Sequence, residues 1–147
     1  MDEHIEMTPI GYVVSPVEDM DEDNYGEVIS RITILPEYRD GLDGLELFSH
    51  VFIMIYLHKA KYQPEIHLKK HPYGLASLPL VGVFARRAKE RPNSIGLTVV
   101  KVIRVGTNEL EVQGLDAING TPVLDIKPYL PQYDSVENAV IPQWMMD

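Results

Sequence analysis

LTVVKVIRVGTNELEVQGL, Leu97 to Leu115, decides the fold. Two β-rich runs, Leu97–Val105 and Glu109–Leu115, flank Gly106-Thr107-Asn108. Strand-like runs joined by a short link containing glycine read as a β-hairpin. Outward from this hairpin, Val51–His58 (VFIMIYLH) is a continuous apolar run of strand length, as expected for a central strand. Glu27–Leu35 (EVISRITIL) alternates, with Val28, Ser30, Ile32 and Ile34 on one face and Ile29, Arg31, Thr33 and Leu35 on the other. Both faces carry apolar groups, which predicts a strand buried more on one side than the other. Ile10–Ser15 is a short strand ending at Pro16, and Pro122–Ile126 is a last strand closed by Pro128. Val81–Ala85 is a shorter candidate, and Pro36–Asp40 predicts one helical turn ended by Gly41. No window of twelve or more residues holds a helical period. Short strands separated by turn signals predict a mostly-β domain, a sandwich or barrel with short helical turns and long loops. Lys59–Pro79 shows no clear element, and a loop that long in a compact domain is functional or disordered.

The chain has 147 residues, which predicts a single domain able to bury its own core. It has no cysteine, which excludes a disulfide framework, a thiol nucleophile and any cysteine-ligated metal. The longest apolar stretch, Val51–Leu57, is too short to span a bilayer, and the opening MDEHIEM is acidic without an apolar segment. The expectation is a soluble, cytoplasmic protein without a membrane partner. Net charge is −9, which taken alone argues against nucleic acid. The distribution reverses that argument. Residues 1–27 hold nine acids and no Lys or Arg, whereas residues 59–104 hold ten Lys or Arg against Glu65 and Glu90. Either this basic middle third binds a phosphate-bearing partner such as RNA, or it is a solvated surface.

No phosphate-cradling glycine loop, dinucleotide fingerprint or serine-hydrolase elbow is present. His67 and His71 stand four apart, which on a helix would place both on one face. The surrounding HLKKHPYG is cationic and repels a metal ion, so no metal is expected. His58 ends the most apolar strand, followed by Lys59; it either faces a ligand at a sheet rim or bonds a neighbouring carbonyl. The densest signal is Gly82–Thr98 (GVFARRAKERPNSIGLT), where Arg86, Arg87, Lys89 and Arg91 precede a Pro92–Gly96 turn. Planar guanidinium forks suit carboxylate or phosphate. In Gly114–Pro131 (GLDAINGTPVLDIKPYLP), Asp116 follows a strand end, where a carboxylate either binds a ligand or caps a turn.

Four ordered blocks, PIGYVVSP (Pro9–Pro16), LDGLELFSHVFIMIYLH (Leu42–His58), GVFARRAKERPNSIGLTVVKV (Gly82–Val102) and LDAINGTPVLDIKPYLP (Leu115–Pro131), resemble the TsaA-like family of TrmO-type tRNA methyltransferases. The resemblance implies a small β-barrel domain over residues 1–147, with a core of about 8–131 and a tail over 132–147. It implies S-adenosylmethionine as cofactor, a homodimer, and tRNA as substrate, methylated on N6 of a modified adenosine at position 37. Carried over by motif, the cofactor contacts fall on His58, Lys59, Arg87, Leu97, Gln113, Gly114, Leu115 and Asp116. Arg86, Lys89 and Arg91 are then candidates for RNA phosphates, and Asp116 is the candidate proton acceptor. The chain departs from the family pattern at three places. The early Pro-Arg-Gln segment is replaced by the acidic Glu18–Asp23 and Asn24-Tyr25; Arg86 stands where the family has Thr, and Ser94 where it has a second Pro. Two further readings remain beside the enzyme: a non-catalytic binder of S-adenosylmethionine or another small molecule that acts on a protein partner, and a metal-dependent hydrolase using His58, His67 and His71.

Overall fold

The computed structural model describes residues 3–18 and 25–145. The acidic segment that replaces the family's early cofactor motif therefore lies largely outside the described residues. Among those described, the chain divides into two compact units, residues 1–58 with 95–129, and residues 59–94 with 130–147.

The first unit is a closed antiparallel barrel. Its strands are β1 (Gly11–Val14), β2 (Ile29–Ile34) and β3 (His50–Tyr56). Two two-residue strands of the second unit come next in the chain, β4 (Lys69–Lys70) and β5 (Val81–Gly82). The barrel resumes with β6 (Ile95–Val105), β7 (Glu109–Gln113) and β8 (Pro122–Pro128). The order around the barrel is β1-β2-β7-β6-β3-β8. This answers the choice between sandwich and barrel: closure leaves no unpaired edge strand. The hairpin that opened the sequence reading is present. Gly106 N–H donates to the Glu109 carbonyl at 2.7 Å, and Val105 pairs with Leu110.

Side-chain alternation sets which groups fill the barrel. Ser30, Ile32 and Ile34 of β2 point inward, while Ile29, Arg31 and Thr33 point out, as the alternation predicted. In β3, Val51, Ile53 and Ile55 are buried, and they meet Val13, Leu110, Val112 and Val123 in one core. Each such side chain contributes about 1.5–3 kcal/mol on leaving water. β3 is the shared strand, paired to β6 along its whole length and to β8.

Several sequence expectations shift. The last strand runs through Pro128, which pairs with Val51, rather than being closed before it. β3 stops at Tyr56 rather than His58, because its last ladder partner is Ile95. The turn starting at Pro36 runs through Gly41 to Leu42, whose side chain is drawn into the core. Val81–Ala85 is a strand only as far as Gly82, because its partner β4 is two residues long; a 3-10 turn, Val83–Ala85, follows. Finally, Lys59–Pro79 is ordered. It holds the helix α1 (Pro64–His67), β4 and a 3-10 turn at Pro72–Gly74, and it forms the first part of the second unit. A second short helix, α2 (Pro131–Asp134), lies in the same unit.

Candidate functional site

In the barrel, five of the candidate residues belong to two neighbouring strands and their ends. β7 ends at Gln113, half-buried, with its side-chain amide donating to Glu27 at 3.4 Å. Gly114 then turns the chain at φ +94, a conformation that disfavours a β-carbon, with its N–H bonded to the Val28 carbonyl at 2.9 Å. This turn sends Leu115 inward and Asp116 outward. Leu115 is 0% exposed and part of the core, so only its main chain is available to a ligand. Asp116 is exposed.

The following loop is held tightly. Asn119 accepts from Ser15 N–H through Oδ1 at 3.1 Å, and its own N–H donates to the Val17 carbonyl at 2.6 Å. Thr121, buried, donates its hydroxyl to the Ile118 carbonyl at 2.7 Å. Asp116 therefore projects from a rigid rim. On β6, Leu97 presents an apolar side chain that is 46% exposed, opposite Met54 of β3. His58 is half-buried, just past the end of β3.

The second unit holds the basic segment. The structure gives its cations different tasks. Arg86 donates through Nη2 to the His67 carbonyl, and Arg91 donates to the carbonyls of Arg86 at 2.6 Å and Ala88 at 3.3 Å. Both guanidinium groups, expected to face a ligand, thus brace the chain's own main chain with part of their donor set. Arg87 and Lys59 are exposed, and Lys89 is half-buried. Phe84, between Val83 and the arginines, is 82% exposed.

The histidine pair does not share a helix face, because α1 ends at His67. Each Nδ1 is engaged: His67 Nδ1 accepts from Gln63 N–H at 2.9 Å, and His71 Nδ1 lies 2.8 Å from the Leu78 carbonyl. Among the described residues, no group of three His, Asp or Glu side chains is placed to hold a metal ion. Among them too, no helix is long and apolar enough to cross a membrane.

A cleft of about 430 Å³ opens in this unit, lined by Lys70, His71, Tyr73, Arg86, Arg87 and Trp144 among others. The sequence reading had singled out Arg86 and Arg87 but not Tyr73 or Trp144. The only signal for them was the Pro-Tyr-Gly turn and the single tryptophan of the chain.

Taken by chemistry, the barrel offers an exposed carboxylate, an amide and an apolar strand face, and the second unit offers an exposed guanidinium.

Residues 20–135 match the model of the tRNA-methyltransferase O N-terminal domain. The chain belongs to this family. Among its relatives is a Methanothermobacter thermautotrophicus protein named as a probable S-adenosyl-L-methionine-binding protein, 41% identical, with 92% of this chain and 97% of that protein aligned. The human tRNA (adenine(37)-N6)-methyltransferase is 44% identical over 76% of this chain and 24% of its own length. The crystal structure of TrmO from Pseudomonas aeruginosa superposes with a TM-score of 0.77 at 32% identity, covering 94% of this chain and 61% of that one. The chain thus spans less than two thirds of that TrmO and about a quarter of the human enzyme. The family match takes in both the basic segment and the Gln113–Asp116 rim.

Proposed function

We propose that the protein is an S-adenosylmethionine-dependent methyltransferase acting on tRNA, with N6 of a modified adenosine at position 37 as acceptor. The observation that carries this reading is the family match over residues 20–135, which includes Arg87, Leu97 and Asp116. S-adenosylmethionine is the cofactor; when bound it supplies an electrophilic methyl group on a cationic sulfur. The residues present fit it by charge and polarity. Arg87, exposed, offers a planar fork for the amino-acid carboxylate, and Asp116, exposed on a rigid rim, offers a counter-charge for the cationic groups. Leu97 gives an apolar face, and Gln113, Gly114 and Leu115 offer amide and main-chain groups. His58 and Lys59 are likewise assigned to the cofactor.

The chain's contribution to catalysis is mainly positioning, which supplies about 7–11 kcal/mol in favourable cases. An exocyclic adenine nitrogen gains a carbon bond and loses a proton in the transfer; Asp116 is the residue assigned to accept that proton. The remaining donors of Arg86 and Arg91, together with Lys89, are assigned to RNA phosphates. The net charge of residues 59–104, ten cations against two acids, supports this assignment. A cytoplasmic homodimer completes the reading. It is supported by an apolar outer stripe in which Phe52, Met54 and Tyr56 of β3 pair with Val99, Leu97 and Ile95 of β6. Sedimentation of the purified chain tests that part.

Calorimetric titration with S-adenosylmethionine tests the cofactor site. Binding by the intact protein, weakened by about 1.5–3 kcal/mol in Arg87→Ala and Asp116→Ala, is the expected result. A folded protein that releases no heat with the cofactor would sink the reading. A second reading, a cofactor binder without catalysis, is favoured by one observation: the archaeal relatives aligned over most of their length carry names that speak only of binding. Consumption of the cofactor only when tRNA is added separates the two.

A further inference from the structure

The cleft of the second unit combines features that the cofactor does not explain. Its charged lining is Lys70, Arg86 and Arg87, with His71 beside them and, among the described residues, no Asp or Glu. S-adenosylmethionine carries a sulfonium and an ammonium against one carboxylate, and Arg87 is already assigned to that carboxylate. Lys70 and Arg86 therefore find no counter-charge in such a molecule, whereas they attract a phosphate. The Nε of Arg86 is buried and has no hydrogen-bond partner, although the same guanidinium donates elsewhere to His67. A buried cationic donor left unused is costly and points to an acceptor supplied from outside.

The aromatic part is equally specific. Tyr73 and Trp144 lie edge to face, ring centroids 6.5 Å apart and planes at 79°. Tyr73 is 68% exposed, so its ring is open to a further stacking partner. It is held there by a strained turn. Tyr73 has φ +57 and Gly74 φ +70, and Gly74 N–H and Leu75 N–H bond the carbonyls of His71 and Pro72, each at 3.1 Å. A non-glycine residue in this conformation costs about 1–2 kcal/mol. Such strain gathers at ligand clamps.

We propose that this cleft is a subsite for one unpaired nucleotide of the RNA, its base stacked on the Tyr73–Trp144 pair and its phosphate held by Lys70 and Arg86. The proposal rests on the reading of the protein as an RNA methyltransferase and adds where the strand outside the reacting nucleoside is gripped. Base–aromatic stacking tolerates any base, so the subsite fixes the strand rather than reads its sequence.

Trp144 is the single tryptophan, so its fluorescence reports this cleft. The test titrates the full chain with a short single-stranded oligoribonucleotide, first alone and then in the presence of saturating S-adenosylmethionine. The oligoribonucleotide is expected to quench Trp144 saturably in both cases. Tyr73→Ala should weaken oligoribonucleotide binding by about 5- to 100-fold, with Tyr73→Phe restoring it. Lys70→Ala should lower the slope of log affinity against log salt by about one. Loss of the RNA quench in the cofactor-saturated protein, or an affinity for RNA that Tyr73→Ala leaves intact, overturns the subsite. If methyl transfer to tRNA persists in either case, the proposed activity stands without it. Saturable quenching by RNA in a protein that methylates no tRNA keeps the subsite and removes the activity.

Discussion

Gly11 is the position where the barrel is least able to accept a side chain. It lies in β1 between two partners, opposite Ile34 of β2 and Val123 of β8. A methyl group added there would stand 2.3 Å from the carbonyl oxygen of Thr33 and 3.2 Å from the Cα of Ile34. Both obstacles are main chain, so no rotamer change relieves them. β1 would have to retreat, yet the hydrogen bonds from Leu35 N–H to the Ile10 carbonyl at 2.9 Å and from Ile10 N–H to the Val123 carbonyl at 2.8 Å tie it on both sides. In a closed barrel there is no free edge to move toward. Losing these two bonds at about 1 kcal/mol each, with overpacking of about 1–3 kcal/mol, puts Gly11→Ala at roughly 3–5 kcal/mol destabilising. At about 2–4 °C per kcal/mol for a chain of this size, the melting temperature falls by roughly 10 °C. Gly41→Ala is the counterpart: nothing lies within 4 Å of its added carbon, so it should stabilise by about 0.4–1 kcal/mol through the unfolded chain. Thermal melts followed by far-ultraviolet circular dichroism decide the matter. A Gly11→Ala variant that melts with the parent would refute the close approach of β1 to β2.

Ser30 is buried in β2 with its hydroxyl unpartnered, so Ser30→Ala should raise stability by about 1 kcal/mol in urea unfolding; a loss would show that the hydroxyl is satisfied. Arg91→Ala removes donors to the carbonyls of Arg86 and Ala88, and amide exchange in residues 83–94 should accelerate by about five- to a hundredfold while the barrel strands are unchanged. Gly114→Ala and Gly120→Ala both place a β-carbon at positive φ, +94 and +85, and each should cost about 1–2 kcal/mol. Gly114→Ala alone should also weaken S-adenosylmethionine in calorimetry, since Gly114 is assigned to the cofactor pocket; equal affinities in the two variants would remove Gly114 from it.

Where a strand is long or its pairing local, the sequence was readable. The β6–β7 hairpin was marked by Gly106-Thr107-Asn108, and β2 and β3 by alternation and apolar continuity. Lys59–Pro79 was opaque because its elements run for two to four residues, below the length at which any period becomes visible. Val81–Ala85 misled because its ladder is limited by the partner strand, a property of another segment. In the candidate site, residue types were legible and their assignments were not. Arg86 and Arg91 are alike in sequence to Arg87, yet their guanidinium groups turn to carbonyls of the chain, one of them at distant His67. Tyr73, at the middle of the chain, meets Trp144 near its end, a pairing that no local pattern encodes.

The chain leaves the barrel after β3 and re-enters at β6, and these two strands are ladder neighbours whose ends, Tyr56 and Ile95, face each other. The exit and the return are therefore about one strand spacing apart, roughly 5 Å. To the barrel, everything from Lys59 to Ser94 is an oversized hairpin loop. A short turn would join the same two ends without altering one rung of the ladder, and closure entropy changes only slowly with loop length. The fold thus keeps the scaffold and the basic insert on separate accounts of sequence change. The insert can be exchanged, shortened or recoded while the barrel register stays fixed.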